Sequence, residues 1–354
     1  MRHAEGLHPY PRMSDSPSIY LGIDCGATTT KVGAIDTDDT PITRELRQRP
    51  TRGEEGAGAI IEGWVANAEG FIKEQSLDWS RVAGVGLAIP GPYLSYGVLG
   101  KQANLPHSLE GWRFLDDLTA AIQANAGRAI PVTTANDGQL AGLGEARPIQ
   151  AETPGSVLML APGSGLGCAF VHADGRLLEG DNNAAAILAH MPAPHAALGL
   201  PAFPCGCGRT WGCFEVYTAI AGLPHLIQAC LPDHPDHPFA SLDTITKKES
   251  LQLRGLAQQG DALALDVFNI QARAMGYAVA TGAMAYDPTH IIIGGGLMDP
   301  ESTTPRFRIQ YIDTIRKTAE EVSWSSVEQL HFHEARLGEL SQAIGAALLA
   351  RSFA

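Results

Sequence analysis

The sequence predicts an α/β protein of two facing lobes, and three glycine-rich turns carry that expectation. The apolar strand Ile19-Tyr20-Leu21-Gly22-Ile23-Asp24 runs into Cys25-Gly26-Ala27-Thr28-Thr29-Thr30 and leaves at once through Lys31-Val32-Gly33-Ala34-Ile35. Small residues let the backbone bend tightly and expose its N–H groups, so this stretch reads as a β-hairpin. The pattern recurs in the second half. There Val157-Leu158-Met159-Leu160 enters Ala161-Pro162-Gly163-Ser164-Gly165-Leu166-Gly167, and Cys168-Ala169-Phe170-Val171 leaves it. A third turn, Gly294-Gly295-Gly296, ends the apolar strand His290-Ile291-Ile292-Ile293 and lets a flat ligand approach the backbone. Either hairpin alone is ordinary. One in each half predicts a duplicated fold with phosphate held between the lobes. Neither turn is a Walker A loop or a dinucleotide fingerprint, because both of those require a helix after the loop.

Taken in order, residues 1–18 are rich in Pro, Ser and His and read as a flexible tail, with Met13 as a second candidate start. A small lobe is expected over 19–135, a large lobe over 136–335, and a C-terminal helix over 336–354 returning to the small lobe. Helices are predicted over 57–74, 114–124, 138–145 and 262–285. Leu340, Ile344 and Ala347 sit at helical spacing in a closing helix over 337–349. Their apolar stripes are core packing. Asp233-His234-Pro235-Asp236-His237-Pro238 reads as a stiff solvated loop, and His331 and His333 as exposed strand residues.

At 354 residues, 45% hydrophobic and 18% charged, the chain is long enough for two buried cores. Its 38 acidic and 25 basic residues give a net charge of −13, which offers no footprint for nucleic acid or anionic lipid. No apolar run of about eighteen residues marks a membrane span, and no signal-peptide core follows Met1. The cytosol is the expected compartment and a homodimer the expected assembly.

Three of the six cysteines fall within Cys205-Gly206-Cys207-Gly208-Arg209-Thr210-Trp211-Gly212-Cys213-Phe214-Glu215. Three thiolates and one imidazole make a closed tetrahedral zinc site, with His190 as a reasonable fourth ligand. Reduced thiols on a turn are the alternative. A disulfide is the weaker one, since nothing marks the chain as secreted.

The segment Ile130-Pro131-Val132-Thr133-Thr134-Ala135 leads through Asn136-Asp137 into a helix. An Asp at such a junction is commonly an N-cap. Between two phosphate turns it has a second job available. Phosphoryl transfer needs the γ-phosphate held, its charge neutralised by magnesium, and an Asp near the attacking hydroxyl. Asp137 suits the base, with an ordinary carboxylate pKa of about 3.9, and Asp24 suits an orienting role toward magnesium.

Together these residues carry a resemblance. Asp24-x-Gly26-x-Thr28, Asn136-Asp137, Pro162-Gly163-Ser164-Gly165, the cysteine cluster and Gly294-Gly295-Gly296 occur in the order seen in the ROK family of sugar kinases and repressors. The chain resembles that family from about residue 19 to 350, most specifically at the zinc motif. The resemblance implies a two-lobed actin-like ATPase fold, ribonuclease H-like, in which ATP and a hexose meet in the cleft. It implies Mg2+ as a cofactor and a structural Zn2+ on His190, Cys205, Cys207 and Cys213. Asp137 is then the base that deprotonates the sugar hydroxyl. The sugar contacts implied are Asn136, Asp137, Asn104 of Asn104-Leu105-Pro106, Gly91 of Pro90-Gly91-Pro92, His190 and Glu215. Contacts to ATP fall on Asp24, Gly26, Thr28 and Thr29, on Gly163, Ser164, Gly165 and Gly167, and on Gly294, Gly295 and Gly296.

Two departures stand out. The family motif has two residues between Cys-x-Cys-Gly and Gly-Cys-x-Glu, whereas this chain has Arg209, Thr210 and Trp211, an insertion that can bulge without moving the ligands. Where the family reads Glu-x-Gly-His, this chain reads Ile187-Leu188-Ala189-His190. Ile187 cannot accept a hydrogen bond, and losing a charged one to a sugar hydroxyl costs about 1.5–3 kcal/mol. The activity implied is ATP-dependent phosphorylation of a glucose-like hexose at its 6-hydroxyl. An N-acetylhexosamine kinase, a fructose kinase or a sugar-binding pseudokinase are the alternatives. A repressor is disfavoured, because the residues before the first strand are too few for a helix-turn-helix.

Overall fold

The computed structural model describes residues 18–101, 105–181, 184–324 and 327–354. Asn104 and residues 1–17 of the expected tail, Met13 included, lie outside the described residues.

Two sheets repeat one wiring. The first contains β1 (Ile19–Cys25), β2 (Thr29–Ile35), β3 (Arg47–Pro50) and β4 (Val82–Ile89). A small ribbon of β5 (Tyr93–Ser95) and β6 (Val98–Leu99) follows, and β7 (Val132–Asn136) completes the sheet in the order β3-β2-β1-β4-β7. The second contains β8 (Val157–Pro162), β9 (Leu166–Val171), β10 (His290–Ile293) and β11 (His331–Glu334), ordered β11-β10-β8-β9. Each sheet opens with an antiparallel hairpin, β1–β2 or β8–β9. Two further strands then join parallel to the hairpin's first strand: β4 and β7 in one, β10 and β11 in the other. β10 is buried along its whole length and β4 along nearly all of it, as strands covered on both faces require.

Helices α1 (Ala57–Glu74) and α2 (Phe114–Ala126) cover the outer face of the first sheet. In α1 the buried Ile60, Trp64, Ala68, Phe71 and Ile72 recur at helical spacing, and in α2 Phe114, Leu118 and Ile122 do the same. α3 (Asp137–Glu152) leaves β7 toward the second sheet. Over the outer face of that sheet lie α4 (Glu215–Thr218), α5 (Leu223–Cys230), α6 (Lys247–Ser250), α7 (Leu253–Gln258), α8 (Ala262–Tyr286) and α9 (Pro305–Val322). α10 (Ser341–Ser352) closes the chain and packs on β1 and β4.

A third core lies where α3 and α10 meet the inner faces of both sheets. Leu140, Leu143 and Ala146 of α3 pack there with Ile344, Ala347 and Leu348 of α10, and with Ala88, Ala135, Met159 and Ile292 from the strands. Gly22 and Gly86 permit the approach, since a Cβ on either would run into the α10 backbone at Ala343 or Ala346. Such overpacking would push the closing helix off the sheet.

Four expectations need correction. The closing helix begins at Ser341, not at 337, because a 3-10 turn over Gly338–Leu340 precedes it. The Leu337 and Gly338 amides donate instead to Glu145 of α3, at 2.9 and 3.2 Å. α3 itself runs on to Glu152, well past 145. The loop at 233–238 is not simply solvated: His234 pairs with Asp266 at 2.8 Å and His237 with Asp261 at 3.4 Å, at the start of α8. His333 is half-buried rather than exposed, with its Nε2 3.1 Å from Nδ1 of the buried His290.

Candidate active site

Asn136 ends β7 and Asp137 begins α3, so the wiring delivers an Asn-Asp pair to a helix N-terminus. Asn136 is the cap. Its Oδ1 accepts the N–H of Gly138 at 3.0 Å and of Gln139 at 3.3 Å, an arrangement worth about 1 kcal/mol. The Asn136 amide nitrogen is thereby turned toward Gly91, whose α-carbon substituent would lie 3.5 Å from Nδ2. Asp137 occupies the first helical position, with Oδ1 accepting the Gly138 N–H at 2.9 Å. It keeps partial exposure, but the surrounding protein desolvates it and raises its carboxyl above the ordinary value, while the Gly138 amide pulls the other way. An unperturbed pKa for Asp137 is therefore corrected: burial tunes it upward.

Asp24 is the penultimate residue of β1 and is only 5% exposed. Desolvation raises its carboxyl to about 7, Lys31 opposes that, and the charges of Asp137 and Glu339 add to it. Lys31 is its cross-strand partner in the hairpin and also pairs with Glu339 at 3.4 Å. The charges of Lys31, Asp137 and Glu339 thus all act on Asp24. In the adjoining turn the Gly26 N–H donates to Thr29 O at 3.0 Å, and Thr51 grips the Gly26 and Thr28 carbonyls at 2.7 and 2.9 Å. Thr28 remains exposed.

The second turn is held just as firmly. The Gly163 N–H donates to Gly165 O at 2.8 Å, and Ile220 and Ala221 donate to the Gly163 and Ser164 carbonyls at 2.9 and 3.2 Å. Leu166 donates its N–H to Glu215 Oε2 at 3.1 Å. Gly167 packs against Gly138, which brings this turn to the start of α3. The three glycines after β10 divide their roles. Gly294 packs on Met159 and Ala161, and its N–H stays in the ladder to Leu160 O at 3.0 Å. Gly295, with φ of +78°, lies against the Pro162 carbonyl where no side chain fits. Only Gly296 of the three lines the cavity beside the second turn, with Pro162, Gly163, Leu223, Arg254 and Phe268.

The cysteine cluster forms a knuckle. Cys205 N–H donates to Arg209 O at 2.8 Å, and Gly208 N–H to Cys205 O at 2.9 Å. His190 ends a short 3-10 turn over Leu188–His190. One ligand atom from each of His190, Cys205, Cys207 and Cys213 falls within 4.8 Å of the others. Cys207 and Cys213 sulfurs are 3.8 Å apart, and Cys205 Sγ is 3.7 Å from His190 Nδ1. A tetrahedron with Zn–S bonds of about 2.3 Å has edges of about 3.8 Å, so the donor set fits zinc. The inserted residue bulges outward, with the Arg209 guanidinium 5.1 Å over a Trp211 ring that is 45% exposed. Cys205 Sγ also lies 3.6 Å from Glu215 Oε1, so the knuckle abuts the second turn through that carboxylate.

The ROK family profile matches residues 20–352. The chain belongs to the ROK family. It is 29% identical over 286 residues to a protein of Halalkalibacterium halodurans named glucokinase, covering 78% of this chain and 80% of that one. It is 25% identical over 284 residues to the Vibrio cholerae N-acetyl-D-glucosamine kinase, covering 79% and 84%. Among solved structures, a ROK glucokinase from Streptomyces griseus in complex with glucose and AMPPNP superposes with a TM-score of 0.69 at 25% identity, covering 95% of this chain and all of that one. The two-sheet architecture is the two-lobed actin-like ATPase fold of ROK glucokinases.

Within this ROK chain, Asn136, Asp137, Gly91 and the second turn gather at the N-terminus of α3, the charges of Asp137 and Asp24 act on each other, and Glu215 bonds the second turn while His190 adjoins it through Cys205. Ile187 packs on the second core. Three residues at the site escape the sequence reading. Tyr93 donates to Ile89 O at 2.5 Å and bonds Asn136, Lys31 faces Asp24, and Arg254 bonds Gly296 O at 3.1 Å. Only Lys31 left a signal, as the residue opposite Asp24 in a hairpin.

Proposed function

We propose that this ROK protein transfers the terminal phosphoryl group of ATP to the 6-hydroxyl of a hexose, with glucose as first substrate. The observation that supports the reading is the position of Asp137 beside the second turn, where Gly138 and Gly167 touch, with its charge close enough to act on Asp24 at the first turn. Asp137 takes the proton of the sugar hydroxyl, the oxygen bonds to the γ-phosphorus, and the bond to the bridging oxygen of ADP breaks. Desolvation suits this role, since a base works best with its pKa drawn toward the operating pH. Asn136 directs its amide toward Gly91, where the sugar ring would lie. Exposed Thr28 and Ser164 are the turn residues offered to phosphate oxygens. Asp24 would hold magnesium, which supplies charge neutralisation when bound. His190, Cys205, Cys207 and Cys213 would hold zinc, which stiffens the knuckle. The cavity beside Gly296 and Arg254 is the proposed end for the nucleoside.

The proposed lobes follow the sheets, 19–135 and 136–335 with 336–354 returning to the first. A homodimer in the cytosol is the proposed setting, and no helix among the described residues is long and apolar enough to cross a membrane. The test is release of ADP, coupled to a reporter, across glucose, fructose, N-acetylglucosamine and N-acetylmannosamine. Turnover with glucose above the amino sugars is expected. ADP release with none of them makes the chain a sugar-binding pseudokinase.

A further inference from the structure

One phenol bridges the ends of two neighbouring strands. β4 and β7 run parallel, and Ile89 and Asn136 form the last register pair of their ladder. Four residues after Ile89, Tyr93 opens β5. Its ring packs against the core under α1 and α2, 6.2 Å from the ring of Phe114. The Tyr93 hydroxyl donates to Ile89 O at 2.5 Å. Burial pushes the phenol well above its ordinary value, so it keeps that proton at neutral pH. A hydroxyl oxygen whose hydrogen is committed can still accept. The side chain of Asn136 bonds it there.

Elimination identifies the atom that Asn136 offers. Its Oδ1 already accepts the Gly138 and Gln139 N–H groups at 3.0 and 3.3 Å, so Nδ2 is the atom turned to Tyr93. Position 91 marks the same spot: a Cβ there would lie 3.5 Å from Nδ2 and 3.5 Å from Cε2 of Tyr93. The cap alone fixes one oxygen and leaves the amide plane free to tilt. The phenol removes that freedom. An amide nitrogen carries two hydrogens in one plane, so holding one of them sets the direction of the other. Asn136 is only half-buried, and its side chain is not sealed from a ligand. We propose that Tyr93 is a positioning residue of the sugar site: its hydroxyl holds one hydrogen of the Asn136 amide and thereby aims the other at a sugar hydroxyl. The inference rests on the reading of Asn136 as a sugar contact and adds a residue on which that contact depends. Without the phenol, the sugar itself has to order the amide, and affinity falls by that cost.

The test is a double-mutant cycle on the full-length protein, read as calorimetric affinity for a sugar. The sugar is whichever of glucose, fructose, N-acetylglucosamine and N-acetylmannosamine the wild type binds most tightly. Tyr93→Phe keeps the ring and its packing and removes the hydroxyl. Asn136→Ser keeps a capping oxygen and removes the amide. Each alone should weaken sugar binding about tenfold, the size of one neutral hydrogen bond lost, with AMPPNP affinity unchanged. The double variant should bind no more weakly than Asn136→Ser, because the phenol then has nothing to aim. Losses that multiply make Tyr93 a residue of the scaffold only and overturn the proposal. Wild-type sugar affinity in Tyr93→Phe also overturns it, and leaves the reading of Asn136 standing where Asn136→Ser binds weakly. Wild-type affinity in Asn136→Ser, or a wild type that binds none of the four sugars, overturns that reading and the proposal together. If Tyr93→Phe fails to fold, Tyr93→4-aminophenylalanine decides. It keeps a donor for Ile89 O but is a poor acceptor, so the same loss is expected, and wild-type affinity overturns the proposal.

Discussion

Glu145 Oε1 accepts a hydrogen bond from Ser341 Oγ at 2.5 Å, which ties the helix that begins with Asp137 to the helix that closes the chain. The same buried carboxylate takes the Arg336, Leu337 and Gly338 amides at 2.6, 2.9 and 3.2 Å. These amides belong to the segment that leads through the 3-10 turn into α10. α3 and α10 are therefore tied together between the sheets through Glu145.

Glu145→Ala should destabilise the fold by about 3 kcal/mol or more, because several enclosed donors lose their acceptor at about 1–3 kcal/mol each. Glu145→Gln, which keeps one carbonyl oxygen, should lose less. Chemical denaturation of the three proteins checks this order. Equal stabilities would mean that water replaces the carboxylate without loss.

Asp24 makes a prediction of opposite sign. Its folded value of about 7 lies above the ordinary value of about 3.9. Between those values the folded state keeps a proton that the unfolded chain has released. Stability therefore falls as pH rises through that window and stays low above it. Asp24→Asn should melt a few degrees above wild type at pH 8 in metal-free buffer, and the gap should close near pH 4. Phosphoryl transfer should fall sharply in the same variant. A melting temperature unchanged at both pH values contradicts the desolvated carboxyl.

Much of the architecture was legible because it depends on local patterns. Strand β10 coincides with the apolar run His290-Ile291-Ile292-Ile293, and α1 with the helical stripe over Ala57–Glu74. Both hairpins announce themselves by small residues between apolar strands. What stayed hidden is long-range or a choice between equals. Asn136 and Asp137 are both good caps, and only the backbone shows that Asn136 takes the job. The Glu145 carboxylate finds its partners some 190 residues on, at a separation that no spacing reveals. α9 is obscure because its buried face includes Arg308 and Thr318, so the apolar stripe is broken. At the candidate site, residue types drew attention to the cysteines and the Asn-Asp pair. The internal bonding of Gly26 and Gly163, and the seat of Glu215 on the second turn, are properties of folded loops.

Metal removal gives a third test. Purified protein should carry about one zinc per chain, as a closed four-ligand site requires. Cys213→Ala removes a fully buried ligand and should abolish zinc retention and lower the melting temperature. Cys230→Ala, at a thiol outside the cluster, should keep the zinc. Metal content that is equal in the two variants would contradict the four-residue site.

The pH profile supplies a fourth. Desolvation raises Asp137, and a base acts only when ionised, so kcat/KM for the sugar should climb with pH through the raised value and then level off. The midpoint should lie above the ordinary carboxylate value of about 4. A profile flat from pH 8 down to that value would contradict a desolvated base.

The central claim is that Asp137 removes the proton from the sugar hydroxyl. Asp137→Asn keeps the shape and an oxygen for the Gly138 amide while removing the proton acceptor. General-base help is worth about 10²–10⁴ in rate. The measurement is sugar 6-phosphate formed per second by Asp137→Asn and wild type, with ATP and glucose saturating. Turnover lower by that factor, with glucose affinity little changed, is the result expected. Undiminished turnover would make Asp137 a structural residue of the helix start and contradict the account.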